Sequence, residues 1–107
     1  MTTAKFLFSD ETIISFELSG HSGAGESGTD IVCSAVSSAV YMAANTIIEI
    51  LKLNPETVVR DGYMKIQMNS DDARKSKVIT DGLYLHLSEL QGQYPNNLKL
   101  ERGVFDA

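Results

Sequence analysis

The chain has 107 residues, 43% of them hydrophobic, which suits one compact domain with a single core over residues 1–107. Its 14 acidic and 9 basic side chains give a formal net charge of −5, and this balance disfavours direct binding to nucleic acid. We expect no apolar run near the ~20 residues that span a bilayer, and therefore a cytoplasmic protein with no membrane partner. The single cysteine, Cys33, excludes an intrachain disulfide and a zinc site built from several thiolates, so no metal or other cofactor is predicted.

The first predicted elements are two strands joined by a short turn. KFLFS and TIISFEL are β-rich runs, and the second alternates apolar and polar side chains, so together they indicate an antiparallel hairpin. A glycine-rich segment follows over residues 20–30. Residues 31–53 then carry apolar side chains at helical spacing, which predicts a long, mostly buried helix that ends before Asn54 and Pro55.

The second half of the chain predicts a hairpin, a helix and a final strand. TVVR and YMKIQM flank Asp61 and Gly62, a dipeptide typical of tight hairpin turns that need positive φ angles. Residues 70–72, SDD, are predicted to cap a second helix that ends near Tyr94, and LKLERGVF is predicted to form the last strand. The order β-β-α-β-β-α-β indicates an α+β fold, a single-domain two-layer sandwich in which two helices pack on a mainly antiparallel sheet.

Three glycines, Gly23, Gly25 and Gly28, form the pattern G-x-G-x-x-G that is common in dinucleotide-binding proteins. Such proteins place the third glycine inside the helix and an acidic residue ~20 positions later, at the end of the next strand. Here Gly28 precedes the predicted helix cap, and Glu49 lies within the predicted helix. Nucleotide binding is therefore a weak alternative, and the glycines favour a loop that moves or that lets a ligand backbone approach closely.

Cys33 is the main candidate for a reactive side chain. If Thr29 or Asp30 caps the long helix, Cys33 lies in its first turn, where the helix dipole and free amides stabilise a thiolate and could donate to an oxyanion. His21 could fold back onto the sulfur as its base, with Asp30 as the orienting carboxylate, and a pocket should then lie beside Cys33. The alternatives remain open, because free cysteine is commonly a small core residue and Asp30 could be only a cap.

A longer pattern resembles a known family. Gly20-His21 is followed, after eight residues, by Asp-Ile-Val-Cys-Ser-Ala-Val at positions 30–36, which is similar to the signature of the ribosomal-processing cysteine protease family. Asn45 within the long helix and the Tyr-x-x-Asn-Leu run at 94–98 also have counterparts in that family. The resemblance implies a cysteine endopeptidase in which Cys33 and His21 form a catalytic dyad and Asp30 has a supporting role.

The same resemblance implies a substrate and an assembly. The family removes the N-terminal extension of large-subunit ribosomal protein twenty-seven during ribosome assembly, forms a homodimer and orders a mobile glycine-rich loop around its substrate. Substrate contacts are accordingly expected from the loop and from the start of the helix, at Ser22, Gly23, Gly25, Gly28 and Ser34. The alternative is a domain that only binds the ribosome or an assembly partner, without catalysis.

Overall fold

Five strands form one sheet in the computed structural model, which describes residues 1–20 and 27–105, without the side chains of residues 27–30. The strands are β1 (Thr2–Ser9), β2 (Thr12–Ser19), β3 (Glu56–Arg60), β4 (Tyr63–Gln67) and β5 (Leu98–Val104). Their order across the sheet is β3-β4-β2-β1-β5, and every pairing is antiparallel except that of β1 with β5. The predicted α+β fold with a mainly antiparallel sheet is therefore confirmed.

Three helices pack on one face of this sheet. They are α1 (Ser27–Asn45), which continues as a π-helical turn over Thr46–Ile50, α2 (Ser70–Lys75) and α3 (Lys77–Gln93). The prediction of two helices is wrong in number, because the second predicted helix is interrupted at Ser76, where φ is −96° and ψ is 1°. The buried side chains keep helical spacing across this interruption, so the apolar pattern does not reveal it: Ala73, Ser76, Thr80, Leu83 and Leu87.

The core lies where alternate strand residues meet one side of each helix. The ring of Tyr84 in α3 is nearly perpendicular to those of Phe6 and Phe8 in β1, with ring centroids 5.0 and 5.4 Å apart. Each such contact adds about 0.5–1.5 kcal/mol to the burial of the rings. From α1, the side that faces the sheet supplies buried aliphatic residues, so the sheet fixes the rotation of this helix: Val32, Val36, Val40, Ala43 and Ala44.

The start of α1 differs from the prediction. The helix begins at Ser27, so the expectation that Thr29 or Asp30 caps it is wrong, and Gly28 lies inside the helix rather than before it. Ser, Gly, Thr and Asp are all common at helix starts, so four such residues in a row leave the boundary undefined in the sequence. Cys33 consequently lies in the second turn of α1, beyond the first four N–H groups that an α-helix leaves without a partner of its own.

Both predicted hairpins are present, but two local details differ. In the β3–β4 turn only Gly62 has a positive φ, of 71°, so one glycine satisfies the turn and Asp61 does not share this conformation. At the start of α2 the capping side chain is Asn69, whose Oδ1 accepts from the backbone N–H of Asp72 at 2.8 Å. The prediction that residues 70–72 provide the cap is therefore wrong by one residue, and these residues form the first turn instead.

One helical segment, Ile31–Ile50, is long and apolar enough to cross a membrane, with a hydropathy of 1.7. The expectation that no apolar run approaches this length is therefore wrong. The segment includes most of α1, however, and Val32, Val36 and Ile47 within it are buried against the rest of the domain. Because the core helix of a folded domain passes the same test, length and composition are weak evidence for a membrane span.

Candidate functional site

Helix α1 places Cys33 at the border between core and solvent. Val32 and Val36 are fully buried, which fixes the helix rotation, and Cys33 is left partly exposed beside them. Ser37 and Tyr41 follow Cys33 at intervals of four residues. Residues at this spacing lie on the same side of a helix, so the three side chains form a row along α1.

This row forms one wall of a cavity of about 260 Å³. The other walls come from the start of β1, the end of β2 and the β3–β4 turn, with Leu18, Gly20 and Met64 among the lining residues. Cavities that enclose a whole small molecule commonly measure ~300–1,000 Å³. The sequence predicts a cavity beside Cys33. At this volume, the cavity fits a few residues of a longer peptide better than a complete small-molecule ligand.

The structure brings Cys33 together with the residue that directly precedes His21. Gly20 follows β2 and lines the same cavity as Cys33. His21 itself lies outside the described residues, and so do Ser22, Gly23 and Gly25. The last described residue before the predicted base His21 therefore lies at the cavity of Cys33.

The remaining predicted site residues lie at the beginning of α1. Gly28 and Asp30 belong to its first turn, and their surroundings lie outside the described part of the structure. Asp30 stands three residues before Cys33, a spacing that places both on one side of the helix. Ser34 is exposed and does not line the cavity, so the structure does not bring it together with Cys33.

The β3–β4 turn adds a polar cluster to the rim of the cavity. The Tyr63 phenol donates to Glu17 Oε2 at 2.5 Å, and the guanidinium carbon of Arg60 lies 4.3 Å from the centroid of the Tyr63 ring. The hydrogen bond to Glu17 raises the pKa of Tyr63, with smaller contributions from desolvation and from the charge of Glu17, while Arg60 acts in the opposite direction. Tyr63 is therefore held as a neutral phenol beside the cavity.

Several lining residues were not identified from the sequence. Ser37 and Tyr41 carry a usable signal, since their spacing from Cys33 places them on its side of the helix. Arg60 and Tyr63 carry none, because only the sheet order brings the β3–β4 turn next to α1. Among the described side chains, those of residues 1–20 and 31–105, no group of three His, Cys, Asp or Glu could hold a metal ion.

Comparisons with known proteins give a consistent result. The family model described as cysteine protease Prp matches residues 1–99. The ribosomal processing cysteine protease Prp of Bacillus subtilis (strain 168) is 26% identical over 101 residues, which cover 89% of this chain and 90% of that protein. Two crystal structures of an essential ribosomal processing protease Prp from S. aureus are similar over 95% of this chain and 99% of theirs. The complex with a substrate peptide has a TM-score of 0.85 at 24% identity, and the complex with a covalently linked product peptide has a TM-score of 0.82 at 25% identity.

Proposed function

Since the chain belongs to the cysteine protease Prp family and is therefore a cysteine peptidase, we propose that Cys33 is its nucleophile and His21 its general base. The observation that carries this assignment is the position of Gly20, the residue before His21, in the same cavity as Cys33. A partly exposed thiol beside a cavity is accessible to a peptide bond, whereas a cysteine sealed in the core is not. We include Asp30, one turn before Cys33, as the group that orients His21.

The proposed reaction follows the chemistry of a cysteine endopeptidase. His21 takes the proton of the Cys33 thiol, and the thiolate attacks the scissile carbonyl carbon to give a tetrahedral oxyanion. When this intermediate collapses, the C–N bond breaks and His21 returns the proton to the leaving amine. A water molecule, deprotonated by His21, then hydrolyses the thioester and releases the acid product. With α1 beginning at Ser27, the amide of Cys33 is not among the free N–H groups of the helix start, so we do not assign it to the oxyanion.

We propose that the substrate is the N-terminal extension of large-subunit ribosomal protein twenty-seven. The similarity to ribosomal processing proteases, one of them solved in complex with a substrate peptide, supports this assignment. The cavity is also suited to an extended chain. Its α1 wall runs from Cys33 to Tyr41, a rise of about 12 Å, which matches roughly three to four residues of extended peptide.

A cleavage assay with a peptide that carries this extension and the first residues of the mature protein tests the proposal. We expect cleavage by the wild type, and losses of more than about a hundredfold in kcat for Cys33→Ala and for His21→Ala. Ser38→Ala is the matched control, because Ser38 is an exposed residue of the same helix that does not line the cavity of Cys33. Peptide binding without cleavage by the wild type would instead support the non-catalytic ribosome-binding alternative.

We also propose that the protein is a cytoplasmic homodimer. Large apolar side chains are exposed along α1 and the π-helical turn that continues it, and they support a second copy of the chain as partner. Ile31, Met42 and Ile50 are 61%, 52% and 74% exposed. Sedimentation should give twice the monomer mass, and Met42→Glu should lower that mass. A monomer at all accessible concentrations contradicts the dimer, and recovery of the native protein in the membrane fraction contradicts the location.

A further inference from the structure

Gly20 has a backbone conformation that other residues rarely adopt. Its φ of 113° lies in the left-handed region, at the point where the chain leaves β2. Its N–H donates to the carbonyl of Gly62 at 3.1 Å, and Gly62 is itself at a positive φ in the β3–β4 turn. The end of β2 is therefore tied to the tip of the neighbouring hairpin.

The space around Gly20 is also closed to a side chain. A Cβ at this position would lie 2.4 Å from the carbonyl oxygen of Met1 and 3.2 Å from the Cα of Thr2. Both are backbone atoms, and β1 holds them in place, because the Thr2 N–H donates to the carbonyl of Asn97 at 3.0 Å. Gly103 differs, since a Cβ there would first meet the end of the flexible Leu7 side chain, at 3.2 Å.

These constraints act beside the reactive cysteine. Gly20 and Gly62 both line the cavity of Cys33, and the residue after Gly20 is His21. We propose that Gly20 is a positioning residue, whose left-handed backbone and bond to Gly62 direct the chain so that His21 acts on Cys33. This inference rests on the proposed Cys33–His21 dyad. It gives the end of β2 and the β3–β4 turn a role in catalysis.

The first test compares Gly20→Ala with His21→Ala by alkylation of Cys33 with iodoacetamide across a range of pH. We expect both variants to lose most of the alkylation that the wild type shows at neutral pH, and to approach the wild-type rate at alkaline pH. In the peptide assay, Gly20→Ala should lower kcat by about a hundredfold with little change in KM, as expected when a catalytic group is displaced by ~1 Å. Gly103→Ala, a strand glycine away from the cavity, should behave as the wild type in both assays.

A double variant separates positioning from loss of stability. If Gly20 acts through His21, the double variant Gly20→Ala/His21→Ala should have the same alkylation profile and the same kcat as His21→Ala alone. Additive effects overturn the inference, as does a Gly20→Ala protein that melts at lower temperature but is alkylated like the wild type. If Gly20→Ala does not fold, Gly62→Ala takes its place, with an intermediate alkylation profile expected and a wild-type profile contradicting the inference.

The two proposals fail in different ways. A wild-type alkylation profile for His21→Ala removes His21 from the dyad, and the role of Gly20 falls with it. A changed profile for His21→Ala together with wild-type profiles for Gly20→Ala and Gly62→Ala removes only the role of Gly20.

Discussion

The replacement Thr2→Val should stabilise the protein. Thr2 is the first residue of β1, its side chain is 1% exposed, and its Oγ1 has no hydrogen-bond partner among residues 1–20 and 27–105. A buried hydroxyl without a partner costs about 1–3 kcal/mol relative to its hydrated state in the unfolded chain. Valine has nearly the same shape and keeps the backbone N–H that donates to Asn97, so we expect the free energy of unfolding to rise by about 1–3 kcal/mol.

Urea unfolding followed by circular dichroism measures this change. The midpoint should rise while the m-value stays constant, because the surface exposed on unfolding is the same. In a domain of this size, each kcal/mol corresponds to roughly 4 °C in melting temperature.

Thr80→Val is the matched control. Thr80 is 0% exposed, but its hydroxyl donates to the carbonyl of Ser76 at 3.2 Å, so the same substitution removes a hydrogen bond. We expect Thr80→Val to lower the free energy of unfolding by about 1 kcal/mol. The two substitutions should therefore differ in sign. A loss of stability in Thr2→Val comparable to that in Thr80→Val would refute the reasoning, since it would show that the Thr2 hydroxyl has a partner.

Two further predictions concern pH and packing. Because the pKa of Tyr63 is raised in the folded state, the stability that its protonated phenol contributes is present below pH ~10 and is lost as the pH rises through the folded value. Phenolate absorbance should show Tyr63 ionising at a lower pH in Glu17→Gln than in the wild type, and an unchanged titration contradicts the assignment to the hydrogen bond. Leu87→Ala should lower the free energy of unfolding by about 2–5 kcal/mol, whereas Leu85→Ala, at a 61% exposed position of the same helix, should change it by less than about 0.5 kcal/mol. Equal losses in urea unfolding would contradict the packing of α3.

The sequence predicts the elements of this fold where local chemistry decides them. Alternation in TIISFEL and the glycine of the Asp61-Gly62 turn depend on neighbouring residues only, and the corresponding strands and turn are present. The helix boundaries are less well predicted, because Ser27 to Asp30 and Asn69 to Asp72 are each runs of four residues that could cap a helix. Val32 and Ala73, which follow these runs, are buried in the core, and such packing is not visible in a single sequence.

The candidate site was predicted only in part for the same reason. The sequence identifies Cys33 by its chemistry, and helical spacing would extend the site to Ser37 and Tyr41. The contribution of the β3–β4 turn depends on the order of strands across the sheet, which places Tyr63 opposite Ser19 at the end of β2. Contacts between residues this far apart in the chain require the tertiary structure.

The position of Cys33 in the second turn of α1 affects which groups can stabilise its thiolate. A helix dipole acts mainly on groups in the first turn. A helix that begins at Ser27 therefore stabilises a thiolate at Cys33 less than a helix that begins at Thr29 or Asp30 would. A neighbouring imidazole is then the main remaining source of activation. The chain has two histidines, and His86 lines a different groove, between α1 and α3, together with residues such as Ala39 and Leu83. Of the two histidines, His21 therefore remains the candidate for the proposed dyad, and the proposed role of Gly20 rests on that assignment.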